Sequence, residues 1–158
     1  MVSINWCLKA KNGLELVGPN KNMADAYLKM AEESLKAIKN NSESKIWTAS
    51  TAYYTMYYSL YAVMIRIGVK CEVHKCSIEF MKRFLLEFYS KDDVKLVESA
   101  FESRNDLQYY PNRLINQNKL EFVREGAVDF FVKTKRVLIK INEKQINEIR
   151  NKLREFVK

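Results

Sequence analysis

Apolar residues recur at helical spacing along nearly the whole chain. After Asn22 the stripe Ala24, Tyr27, Leu28, Ala31, Leu35 and Ile38 advances in steps of three and four. Asp25, Lys29, Glu32, Glu33, Lys36 and Lys39 occupy the opposite face, and Asn22 is placed to cap the helix. Residues 40–44 then read as a polar turn. The next stretch is different, because it is apolar on two faces. Ala49, Tyr53, Met56, Leu60, Met64 and Ile67 form one stripe, while Tyr54, Tyr58, Tyr61 and Ile65 form another. A helix with so little polar surface must lie between other elements, which makes it the spine of the fold. Gly68 follows its last apolar residue and suits a left-handed helix end.

A third helix is expected from His74 or Lys75, carrying Ser77, Phe80, Met81, Phe84, Leu85 and Phe88. Ser90 with Asp93 three residues later has the form of a capping box. The helix it opens carries Val94, Val97, Ala100 and Phe101 and must stop before Pro111. A fifth helix begins after Asn118 with Leu120, Val123, Ala127, Phe130, Phe131, Thr134, Val137, Leu138 and Ile141. The stripe then resumes as Ile146, Ile149, Leu153 and Phe156, shifted in register across 142–145 by a break or a stutter. These elements predict an all-α, up-and-down bundle of four to five helices without a sheet. The chain reads as one domain, 1–158, with an N-terminal arm over 1–21 and a C-terminal helical extension over 142–158.

Composition agrees with that picture. The chain has 158 residues, 47% of them hydrophobic, and only four glycines and two prolines interrupt it. That is enough apolar material for one sizeable core, and too few breakers for a many-stranded sheet. The apolar run at 52–65 is too short and too rich in hydroxyls to cross a bilayer, where about 20 apolar residues are needed. Lys9, Lys11 and Glu15 interrupt any signal-peptide core at the N-terminus. A soluble cytoplasmic protein without membrane partners is therefore expected.

The net charge is +8, and much of the excess lies late in the chain. Residues 133–158 hold nine Lys/Arg against three Glu. Such a face is either an electrostatic footprint for nucleic acid or an acidic partner, or simply a solvated helix surface. Cys7, Cys71 and Cys76 make three cysteines, an odd count that argues against a complete disulfide framework. With His74 they would also make a Cys3His metal set. His74 and Cys76, two apart, would point to different sides of a helix, so buried or idle thiols are preferred and no metal or cofactor is assigned.

Candidate chemistry begins where the fourth helix's stripe continues past Val97 and Phe101 to Arg104. An inward-facing arginine is costly to bury unless paired. Asp106 could pair with it, or its planar fork could face a cleft and hold a phosphate. Asn105, Tyr109 and Tyr110 lie within two turns and offer hydrogen bonds and stacking surface. His74 is the only histidine. It either caps and packs the helix it opens or serves as the chain's one ordinary proton-transfer group.

The tyrosine-rich spine, His74 at the head of the third helix and the run RNDLQYY at 104–110 together resemble the HEPN domain family. The resemblance is closest to its archaeal and bacterial helical branch and covers residues 5–140. It implies a helical bundle that dimerises, often paired with a small nucleotidyltransferase in a toxin–antitoxin system, and in some members a metal-independent ribonuclease. The family's ribonuclease motif is an arginine, commonly followed by a polar residue, and then a histidine four to six residues on. Arg104 and Asn105 match its start, whereas Tyr109 stands where the histidine would be. Tyrosine, with a pKa of about 10, is a poor base at neutral pH. The expectation is a homodimeric module that binds nucleotide or RNA phosphate through Arg104, Asn105, Tyr109 and Tyr110. The alternatives are a ribonuclease using Arg104 with Tyr109 or His74, and a non-catalytic dimerisation scaffold.

Overall fold

The computed structural model describes residues 2–157. Its seven helices account for 74% of them, and the protein is an all-α bundle. Helix α3 (Lys45–Ile67) is the spine, packed between α2 (Lys21–Asn40), α5 (Lys91–Tyr109) and α6 (Gln117–Lys140). Both of its predicted stripes are covered. Tyr53, Met56, Leu60, Met64 and Ile67 are fully buried, and on the second face Tyr61 and Ile65 are buried while Tyr54 and Tyr58 stay half-buried. Each fully buried Leu or Met side chain contributes about 1.5–3 kcal/mol of burial free energy, so this one helix organises the core.

Local signals set the helix ends. The Ser44 side chain accepts from the Trp47 N–H at the start of α3. Gly68 closes the helix in the left-handed region (φ 87°), its N–H reaching the carbonyls of Met64 and Ile65. The Ser90–Asp93 capping box opens α5 as predicted, and Lys133 from α6 adds two bonds to the same carboxylate at 2.8 and 2.6 Å. The α2 cap is Asn20 rather than Asn22, and its side chain accepts from the Met23 N–H at 2.9 Å.

Two expectations need correction, and one that the sequence left open is resolved. A short antiparallel pair joins β1 (Glu15–Leu16) to β2 (Val69–Lys70), so the fold is not wholly without strand. It forms because Gly68 turns the chain back alongside the N-terminal arm, which itself contains the short helix α1 (Ile4–Lys9). The thiols of Cys7 and Cys76 are not idle: they form a disulfide between α1 and α4 (His74–Phe84), leaving Cys71 as a buried free thiol. The pairing also takes those two sulfurs out of any metal-ligating set. Finally, residues 142–145 are a true break, where Ile141 is extended and Asn142 with Gln145 forms a new capping box.

Helix α7 (Glu143–Glu155) then folds back, burying Ile146, Ile149 and Leu153 and setting Phe156 edge-on to Phe84. Arg150 on α7 donates through one terminal nitrogen to the carbonyls of Val17, Ile67 and Gly68 at 2.7–3.0 Å. A cation thus ties the last carbonyl of α3 and its Gly68 cap to the N-terminal arm at Val17. The C-terminal stripe is consumed within the chain and gives no surplus apolar face for a dimer.

Candidate functional site

Arg104 lies on the last turns of α5, in register with buried Val97 and Ala100, and is itself half-buried. Its guanidinium meets aromatic rings on several sides, 5.7 Å from the Tyr53 ring centre, 5.6 Å from Tyr54 and 5.4 Å from Tyr109. Such cation–π contacts lower the cost of removing the charge from water. One terminal nitrogen donates to the Tyr54 hydroxyl at 3.0 Å, and the other to the Asn105 side-chain oxygen at 2.9 Å. Nε is sealed from solvent without an acceptor.

No carboxylate among the described residues comes within 4.0 Å of this cation. Asp106, the acid best placed in sequence to neutralise it, pairs with Arg113 instead. Arg113 also stacks over Tyr110 at 4.0 Å, so Tyr110 belongs to that neighbouring group rather than to Arg104. A cavity of about 480 Å3 beside them is lined by Asn105 and Tyr109 together with Glu102, Asp106, Tyr110 and Arg113, while Arg104 itself is not in its lining.

His74 arrives from α4. Val73 precedes the helix without a side-chain cap, and the first turn is held instead by the Cys76 disulfide and by local backbone bonds. The imidazole lies flat on Tyr57, ring centres 4.0 Å apart and planes 19° apart, and its Nδ1 is 2.7 Å from the Tyr53 hydroxyl. Either end can donate in that bond, depending on the imidazole tautomer. Burial lowers the His74 pKa from its ordinary value, and the nearby Arg104 charge lowers it further. Burial also pushes the Tyr53 and Tyr57 phenols well above their usual range. At neutral pH the imidazole and both phenols are therefore uncharged, and the guanidinium is the one cation of the cluster.

The tertiary structure thus brings Arg104, Asn105 and Tyr109 together on one stretch of α5 and joins His74 to them through Tyr53. Sequence reasoning missed Tyr53 and Tyr54 as site residues. Their signal was present, since hydroxyls on an otherwise apolar helix need polar partners when buried. Chemically, the arrangement can hold an anion against Arg104 and can offer a neutral imidazole nearby as a proton acceptor. Comparison with protein-family models gives no match, and comparison with curated proteins gives none either.

Proposed function

We propose that the chain is a HEPN-type module that holds the phosphate of a nucleotide or of RNA on Arg104. In this reading it acts as a homodimer with a nucleotidyltransferase-type partner, in a toxin–antitoxin-like pair. The observation that carries the proposal is the unneutralised guanidinium, fixed by two neutral acceptors, Tyr54 and Asn105, with no carboxylate among the described residues within 4.0 Å. A half-buried charge of this kind is stabilised most by an arriving anion. In a dimer formed across α5, two such cations would repel one another unless phosphate lay between them.

Titration with AMP, ATP and a short single-stranded RNA, followed by NMR at the Arg104 side chain, tests this directly. Charge-assisted hydrogen bonds contribute about 1.5–3 kcal/mol each, so Arg104→Gln should weaken binding at least about tenfold while leaving the fold intact. Equal binding by the wild type and Arg104→Gln, or no binding of any of the three, would sink the proposal. Light scattering with and without the bound anion tests the dimer.

A ribonuclease is the second reading, favoured by one specific contact: Tyr53 draws His74 into the Arg104 cluster at 2.7 Å. A neutral imidazole can accept a proton, whereas Tyr109 cannot do so efficiently at neutral pH. Cleavage without metal is expected to be weak or absent. Efficient cleavage abolished by both Arg104→Ala and His74→Ala would establish the enzyme, and Tyr109→His should raise activity if the motif position matters.

Among the described residues, no helix is long and apolar enough to cross a membrane. We place the module in the cytoplasm, where its proposed ligands are. The Cys7–Cys76 bridge runs against that compartment's reducing thiol pool, and the complete burial of both sulfurs is what would shield it there.

A further inference from the structure

A second group of cations has no role in the Arg104 cluster. A cavity of about 400 Å3 opens where the start of α2, the end of α3 and the end of α6 meet, and Lys21, Arg66 and Lys135 line it, one from each helix. Among the described residues, none of the three has a carboxylate within 4.0 Å or a side-chain hydrogen bond. Asp25 is the one acid on the wall, so the lining carries a net charge of +2 from three cations and one anion. The remaining wall is aliphatic. It includes half-buried Leu138 and Ile139, which is 82% exposed at the rim.

Both features point to one kind of ligand. Three cations from separate helices on one cavity wall leave an excess of positive charge that a dianion relieves, Lys135 having only a cation–π contact to Phe131 at 5.7 Å, and a phosphate monoester carries close to two negative charges at neutral pH. A bare aliphatic wall beside them fits a carbon skeleton attached to that phosphate. The cavity volume lies within the range of about 300–1,000 Å3 in which small-molecule sites fall. Arg66 sits twelve residues beyond Tyr54 on α3, about 18 Å along the helix axis, so the two sites are separate.

We infer that this cavity binds an aliphatic phosphate monoester, with the phosphate on Lys21, Arg66 and Lys135 and the carbon chain on Leu138 and Ile139. The same chemistry is offered by a free metabolite or by the headgroup region of an anionic lipid.

Calorimetric titration of the full chain with n-hexyl phosphate and with inorganic phosphate tests the assignment. Hexyl phosphate should bind more tightly than inorganic phosphate. Arg66→Gln and Lys135→Gln should each weaken it about tenfold, the worth of one charge-assisted hydrogen bond. Ile139→Ser should reduce its advantage over inorganic phosphate. Arg104→Gln should leave the binding unchanged, which keeps this site's failure distinct from that of the Arg104 site. Lys135 is exposed, so its variant reports on binding even if Arg66→Gln folds poorly. Vesicles of phosphatidylcholine containing phosphatidic acid distinguish the source. Co-sedimentation lost in Lys135→Gln indicates a lipid headgroup, and hexyl phosphate binding without co-sedimentation indicates a free metabolite. Absence of hexyl phosphate binding, or binding untouched by both cation variants, overturns the inference.

Discussion

Reducing the Cys7–Cys76 disulfide is the perturbation with the largest expected effect on the fold. The two cysteines are 69 residues apart in sequence and both fully buried. Their bond therefore closes a long loop in the unfolded chain, while the reduced thiols would still pack where the bridge now lies. In the loop-entropy account, closing about 70 residues removes close to 15 cal/mol/K from the unfolded ensemble, or about 4.4 kcal/mol at 25 °C. For a domain of this size a loss near 4 kcal/mol lowers the melting temperature by roughly 8–16 °C. Urea and thermal unfolding of the oxidised chain, the chain in a phosphine reductant, and the Cys7→Ser/Cys76→Ser variant give the comparison. The oxidised chain should titrate one thiol when denatured, from Cys71, and three after reduction. Local effects should concentrate at α1 and at the first turn of α4, where His74 has no side-chain cap to hold its helix end. Amide exchange there should accelerate more than along α3. Identical unfolding of the oxidised and reduced chains would refute the entropic reasoning, and three titratable thiols before reduction would refute the bridge.

The lowered pKa of His74 sets a sign for pH dependence. Its folded pKa lies below the unfolded value of about 6.5, so the unfolded chain takes up a proton first as pH falls. Stability is expected to be fully present above about pH 6.5 and to decline below it. Denaturation midpoints across pH 5–8 should show that decline, and His74→Gln should flatten it; an NMR titration with a His74 pKa above 6.5 would contradict it. At the opposite end of α3, Arg150→Gln withdraws the cation from three carbonyls and should destabilise the fold by about 2 kcal/mol. Gly68→Ala should destabilise as well, because φ is 87° there and a Cβ would strike Arg150 and the Val17 carbonyl. Both substitutions are read by urea unfolding, with unchanged midpoints as the contrary result.

The helices themselves were written into the sequence. Periodicity placed the spine's stripes between Ala49 and Ile67 and its cover on two faces, and short-range signals such as Ser90–Asp93 and Gly68 fixed helix ends, because those interactions span only a few residues. Arg104, too, stood out as a cation on an inward stripe. What the sequence left open depended on partners far apart along the chain. Tyr53 meets His74 across 21 residues, Tyr54 meets Arg104 across 50, and Arg150 meets Val17 across 133. Helical spacing states which face a side chain occupies but not which neighbour that face is turned toward. For that reason the choice between Asp106 and Tyr54 as the partner of Arg104, and the joining of Cys7 to Cys76, belonged to the tertiary structure. So did the fate of the last apolar stripe. Ile146, Ile149 and Leu153 would have suited a partner surface equally well, and it was the chain break at Asn142 that let α7 turn back and cover them within the same molecule.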